Sequence, residues 1–433
     1  MSAGSMVNRR ARMITHSVVG ATAAADHKDD VRLSLFVAVY FVTQAANLTA
    51  KNVLPIPKTL YSAISIGFGA ILGIGFAAAI RPMMRRAAAL FITLECGWVC
   101  LYLMSLLMGK ANQQLLLGNA VWTLGICTPV AVCAYAIRDK RVLYEAILKA
   151  SYFDVAILSL AFFFPTQAVG YNMPFSYALV LPTLFHINEW YNTRRWTHLC
   201  LFMTESLAIL LRGARGPLLC VAVMLALKFL LAVRKVSVRF AVVAVGSVLA
   251  AMFNLYFDRI GVLTLSLLEA IGYQSRTIQA IFQGSLARSP ARIDLVRYYY
   301  GLASQRPLVG WGLLGGWIDS GSGPHNMLME FLLAFGYPFG SLACLIAIAL
   351  CFRVFFVKDR SLQDLLCIFV SLNSVMYLVS GDFLTSVPFF VFTLLCVSGW
   401  KFSVRGERGA PSGDHKAERA QSLPLEQGRK NLY

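Results

Sequence analysis

Arginines at a turn and in one long connection are the first chemical signal in this sequence. Arg212 and Arg215, in the stretch Arg212-Gly213-Ala214-Arg215-Gly216, separate two apolar runs. Arg259, Arg276, Arg288, Arg292, Arg297 and Arg306 all fall in the connection 258–324, far longer than any other. A guanidinium group stays charged and matches phosphate oxygens two at a time. Gathered on one side of a membrane, such groups point to an anionic ligand there. The same connection closes on Pro324, His325 and Asn326, at the mouth of the next apolar helix. The ten cysteines offer no metal-ligand spacing and lie inside apolar runs, so buried thiols are expected.

The elements that must hold these residues are apolar. The chain has 433 residues, 58% hydrophobic and 14% charged, too little charge to cover a soluble surface of this size. Runs of the length that crosses a bilayer as a helix recur along it, and they do not alternate as barrel strands would. The formal charge of +18 is spread in short clusters between these runs, and no basic stripe with interleaved aromatics suggests nucleic acid. The reading is an all-α polytopic transmembrane helical bundle of about 12 spans, near 33–50, 59–80, 88–108, 115–137, 150–169, 174–190, 197–212, 216–233, 240–257, 325–352, 362–380 and 383–400. Residues 1–32 form an N-terminal tail without a cleavable signal, 33–400 the transmembrane domain, and 401–433 a disordered tail.

Basic residues recur in alternate connections. They are Arg9/Arg10/Arg12, Arg81/Arg85/Arg86, Arg138/Lys140/Arg141, Arg194/Arg195, Arg234/Lys235/Arg239, Arg353/Lys358/Arg360 and Lys401/Arg405/Arg408. The positive-inside rule puts this set, and both termini, in the cytoplasm. Arg212/Arg215 and the 258–324 loop between spans nine and ten then lie outside the cell membrane, where arginine needs another reason. Within that loop, 261–282 reads as a helix along the membrane surface. A second helix, 291–305, puts Leu295, Tyr298, Tyr299 and Leu302 on one side and ends at Arg306-Pro307. A glycine-rich stretch follows, with Gly310, Gly312, Gly315, Gly316, Gly321 and Gly323.

The order Arg292, then Arg306-Pro307-Leu308-x-Gly310-x-Gly312, then His325-Asn326, then Gly336 and Gly340 resembles the O-antigen ligase/polymerase family. Ala214-Arg215-Gly216 stands where that family carries Ser-Arg-Gly, and Ala334 where it commonly has an acid. The resemblance covers about 207–345. It implies a glycosyltransferase that moves a glycan from a polyprenyl diphosphate carrier to an acceptor hydroxyl at the periplasmic face of a bacterial inner membrane. Arg215 and Arg292 would hold the leaving diphosphate in place of a metal, since no outer Asp-x-Asp is present. His325 would be the general base. Asn326 would position the loop or a sugar hydroxyl, Tyr298 and Trp311 would stack on sugar faces, and Arg212 would share the anion. No cofactor is implied. The expected partners are the lipid-linked oligosaccharide, the bilayer, a chain-length regulator and a flippase.

Plainer roles stand beside these. His325 would cap its own loop, the arginines would snorkel to headgroups, and the aromatics would anchor at the interface. A repeat-unit polymerase is favoured over a ligase to lipid A core, and both over a flippase, because no internal repeat is visible. Ionisable residues inside apolar runs are Glu95, Asp154, Glu189, Glu205 and Lys228. Glu205 is expected to pair with an arginine, Lys228 to snorkel, and Asp154 to be hydrogen-bonded or to relay protons.

Overall fold

The computed structural model describes residues 3–52, 57–108, 113–160, 173–211, 215–232, 290–317, 323–324, 326–378 and 383–398; of residues 3–23, 52, 58, 173–174, 211, 215, 290–293, 375–376 and 378 it gives the helical backbone alone. Among the described residues the chain is all α-helical. The helices are α1 (Ala3–Asn52), α2 (Lys58–Leu107), α3 (Gln113–Trp122), α4 (Thr128–Ala136), α5 (Lys140–Ser159) and α6 (Met173–Thr193). They continue with α7 (Trp196–Leu211), α8 (Arg215–Ala232), α9 (Pro290–Gln305), α10 (Met327–Phe352), α11 (Arg360–Leu378) and α12 (Val387–Ser398).

Four described helices are long and apolar enough to cross a bilayer: Ala24–Lys51, Thr59–Leu107, Gln113–Ala136 and Met327–Phe355. The chain is thus a multi-spanning helical membrane protein. The expectation of about 12 spans is overturned, and the numbered topology built on it falls with it. One reason is that backbone geometry, not the run of apolar letters, sets a helix. The runs 59–80 and 88–108 are joined in α2, which bends at Ala87 (φ −141°, ψ 24°). Other runs are described as helix over shorter stretches that border residues outside the description: 16, 18 and 12 residues in α7, α8 and α12, about 24, 27 and 18 Å against the roughly 30 Å of a hydrocarbon core. The expected span 150–169 is described only to 160 and carries Asp154, and the expected span 362–380 is described only to 378 and carries Asp364. The expected span 240–257 and the tail 401–433 lie outside the described residues.

Charge fixes one end of the bundle. Arg86 of α2 is 5% exposed at its side chain and pairs with Asp26 and Asp30 of α1, while Arg85 pairs with Asp29. Arg138 binds Asp26 at 2.6 Å, and Asp30 accepts the backbone N–H groups of Arg138 and Asp139 at 3.1 Å. Lys140 donates to the last carbonyls of α4, those of Ala134, Tyr135 and Ile137, at 2.9, 3.1 and 2.6 Å. Burial pushes its pKa down from an ordinary 10.5 to about 7, although Asp30 and Asp359 pull the other way. Nearby in sequence to Asp359, Arg360 donates to Asn192, Asn192 to Asp364, and buried Lys228 pairs with Asp364 at 2.5 Å. Three basic connections expected on one side, those of Arg85/Arg86, Arg138/Lys140 and Arg360, therefore meet at one end.

From that end α1 and α2 run antiparallel. Asp29 faces Arg85, the Phe36 and Phe76 rings lie 5.6 Å apart, and Ser65 bonds Asn47 at 3.2 Å. The core joins α1, α4, α5, α6, α11 and α12 through Leu33, Val130, Leu143, Phe185, Phe369 and Val391, all without exposure. Such interiors gain from close packing even where lipid removes the hydrophobic drive. Outward, α2 presents Ile66 and Ile74, more than 70% exposed, an apolar surface suited to lipid. The cysteines divide. All ten are free, and five are buried, but Cys96, Cys100 and Cys200 are exposed and Cys344 and Cys351 half-buried, which corrects the expectation that all are buried.

Candidate functional site

The loop helix, the glycine-rich stretch and α10 form one unit, and a break in α10 builds it. Gly336 has φ +71° and ψ 179°, a backbone region open essentially to glycine alone. The chain reverses there. Cys344 Sγ lies 3.4 Å from the Leu328 carbonyl oxygen, whereas sixteen residues of straight helix would separate them by about 24 Å. The limb 327–335 thus folds back on the limb 337–352, and Gly340 lets them close, since a Cβ there would meet Phe331 O at 2.5 Å. The fourth apolar helix is a hairpin, not a straight rod.

The break frees backbone groups, and the loop after α9 takes them up. Trp311 N–H donates to Leu333 O at 2.7 Å, Gly312 N–H to Ala334 O at 3.1 Å, and Tyr337 N–H to Pro307 O at 2.6 Å. Two glycines make the approach possible. A Cβ on Gly310 (φ +67°) would meet Leu333 O at 2.5 Å, and one on Gly336 would meet Leu308 C at 2.6 Å. On its other side the loop rests on the end of α2, where Leu313 N–H donates to Ser105 Oγ at 2.9 Å.

Side chains lock the arrangement. Trp311 is 5% exposed, its Nε1 donates to Leu302 O at 2.8 Å, and the Arg306 guanidinium lies 4.3 Å from the ring centroid. Tyr299 is fully buried under α9, while its neighbour Tyr298 is 41% exposed. Asn326 is the N-cap of α10, with Oδ1 accepting from Leu328 and Met329 N–H at 3.0 and 3.2 Å. One turn on, the buried Glu330 accepts the Phe383 N–H at 3.3 Å. This ties α10 to the 383–386 turn, whose Leu384 and Thr385 carbonyls accept from Thr123 Oγ1 at 2.8 Å and Trp122 Nε1 at 3.0 Å. Thr123–Cys127 is a π turn, a device that shifts side chains off the ordinary helical register. Glu330, Trp317 and Phe383 line a space of about 10 Å³, roughly one water and too small for a sugar ring.

The sequence-based candidates are placed as follows. Tyr298, Trp311 and Asn326 all belong to the unit, but Trp311 packs at the break of α10 and Asn326 caps the far end of its first limb, about 13 Å of helix away. Arg215 begins α8 and Arg292 lies in the first turn of α9. Arg212 and His325 lie outside the described residues. The second limb of α10 ends in Arg353, whose Nε donates to Cys396 O at 3.3 Å beside the basic end. Its sixteen residues carry the Gly336 break about 24 Å from that end. Gly336, named above only for its place in the motif order, is the reversal itself. Glu205 has a different partner from the arginine expected, the His186 Nδ1 at 2.7 Å. Lys228 does not snorkel but is paired with Asp364.

Sequence reasoning passed over Glu330, Ser105 and the stacking role of Arg306. Glu330 carried a signal, an acid in the first turn of an apolar helix, where the helix dipole favours it. Ser105 carried none, because an in-span serine ordinarily bonds its own helix. Among the described residues no group of three His, Cys, Asp or Glu is placed to hold a metal. No protein-family model matches the chain, and no curated protein matches it.

Proposed function

We propose that the chain is a glycosyltransferase that polymerises a surface polysaccharide. It takes glycan from a polyprenyl diphosphate carrier and joins it to the hydroxyl of another lipid-linked repeat unit, on the periplasmic side of a bacterial inner membrane. The observation that carries this reading is the unit made by α9, its glycine-rich loop and α10. Its motif order, Arg292, Pro307-Leu308-x-Gly310-x-Gly312, His325-Asn326 and Gly336, is the one that resembles the O-antigen ligase/polymerase family. Two of its glycines have positive φ and meet across the loop contact. The loop contact at Gly336 lies at the end of α10 away from Arg353 and the basic cluster, a position that, under the positive-inside rule, supports an outward-facing site.

In this reading the guanidinium groups of Arg215 and Arg292 hold the diphosphate as negative charge gathers on its leaving oxygen. Such contacts act most strongly where water is scarce. His325 takes the proton of the attacking hydroxyl, and direct attack inverts the anomeric carbon. Asn326 keeps the segment bearing His325 at the start of the helix. Tyr298 offers an exposed ring to a sugar face.

Deletion of the gene followed by glycan analysis tests the assignment. A lost polymerase leaves single repeat units on the carrier. Long chains that never reach an acceptor would make the protein a ligase, and an unchanged glycan profile would remove it from this chemistry.

A further inference from the structure

Apart from the transferase reading, a second site lies among α1, α5 and α6. A cavity of about 200 Å³ opens there, closed by Leu372 of α11 and Pro388 of α12. Tyr40, Phe41, Gln44 and Tyr177 line it, with Asp154 the one carboxyl group among the described lining residues. Asp154 is 2% exposed, and its Oδ1 has no hydrogen-bond partner among the described residues. A buried carboxylate without a counter-charge is costly, so a ligand that brings one is favoured.

The walls narrow its chemistry. A diphosphate or other anion is repelled by the carboxylate. A hard metal ion wants several oxygen ligands, and no cluster of three acidic, His or Cys side chains is present among the described residues. A carboxyl group in a cavity lined by aromatic rings suits an organic ammonium, which can take a charge-assisted hydrogen bond and cation–π attraction together. The Tyr40 and Phe41 rings stand edge-to-face at 5.2 Å, so they present differently oriented rings. Depth agrees. Asp154 lies fourteen residues beyond Lys140 on α5, about 21 Å from the basic end, within reach of the opposite headgroups of a roughly 30 Å core.

We infer that the Asp154 cavity binds a primary ammonium group, carried by an aminophospholipid headgroup or by a small soluble amine. The full chain in maltoside micelles, which contain no amine, is followed by thermal unfolding. It is titrated with ethylammonium and with ethanol, and mixed micelles holding phosphatidylethanolamine are compared with phosphatidylglycerol. Ethylammonium or phosphatidylethanolamine raises the unfolding temperature, and ethanol and phosphatidylglycerol do not. Response to the lipid alone assigns the headgroup; response to ethylammonium assigns the amine itself. Asp154→Asn keeps the shape and loses the charge, and lowers amine affinity about tenfold or more. Failure of the wild-type chain to respond to either amine overturns the inference, as does an equal response to ethanol. So does an unchanged response in Asp154→Asn.

Discussion

Gly336 is the residue on which the candidate site most depends. Any side chain there meets both a forbidden backbone region and the Leu308 carbonyl carbon at 2.6 Å. Gly336→Ala is expected to cost about 1–3 kcal/mol in backbone strain and a similar amount in overpacking, read as a large fall in unfolding temperature. Gly301, in α9 with nothing within 4 Å of a would-be Cβ, is the control. Gly301→Ala is neutral or stabilising by up to about 1 kcal/mol. Asn326 offers a separate test of role. Asn326→Ala removes the cap and costs about 1 kcal/mol, while Asn326→Asp keeps an accepting oxygen. If capping is its main work, Asp retains transfer activity and Ala does not; equal loss in both would show that the amide N–H₂ meets the substrate. Part of this was legible in the sequence. Pro307, Gly310, Gly312 and the His325-Asn326 pair stood out by type and spacing. The contact that explains Gly310, a backbone in α10 more than twenty residues on, leaves no local pattern.

Among elements, the α10 hairpin shows what periodicity misses. The run 325–352 reads as one span because every residue around Gly336 is apolar. Gly336 and Pro338 were the breaker signal inside it, and the reversal needed the loop's backbone partners to become stable. Two ties between elements carry predictions. Lys228 and Asp364, 10% and 8% exposed at their side chains, join α8 to α11. Lys228→Met leaves a buried carboxylate and is expected to cost about 3–5 kcal/mol. The double change Lys228→Met with Asp364→Leu recovers most of it, and a double variant no better than the single would refute the pairing. At the α4–α5 junction Lys140 has its pKa lowered to about 7. The folded chain then binds fewer protons than the unfolded one between about pH 7 and the ordinary 10.5. Stability should rise with pH across that window, and Lys140→Met should remove the slope in unfolding measured at successive pH values.

For the whole molecule, the sequence conveyed membrane character and the grouping of basic connections, because composition and charge clusters are local properties. The number of spans did not follow, because it depends on where helices bend and end. Arg81, Arg85 and Arg86 illustrate both. They sit within a 50-residue helix, and the acids of α1 and the bend at Ala87 gather this charge at one end of the bundle. Of the proposed site, the elements and Asn326, Trp311 and Tyr298 are placed, and the chemistry assigned to Arg215, Arg292 and His325 rests on their positions in the motif order. The most direct test of that chemistry is extension of a purified polyprenyl-diphosphate-linked repeat unit by the purified chain in EDTA. The account predicts products longer than one unit with the wild-type chain and none with His325→Ala of equal expression. Extension that requires Mg²⁺ or Mn²⁺, or that proceeds as well with His325→Ala, would contradict it.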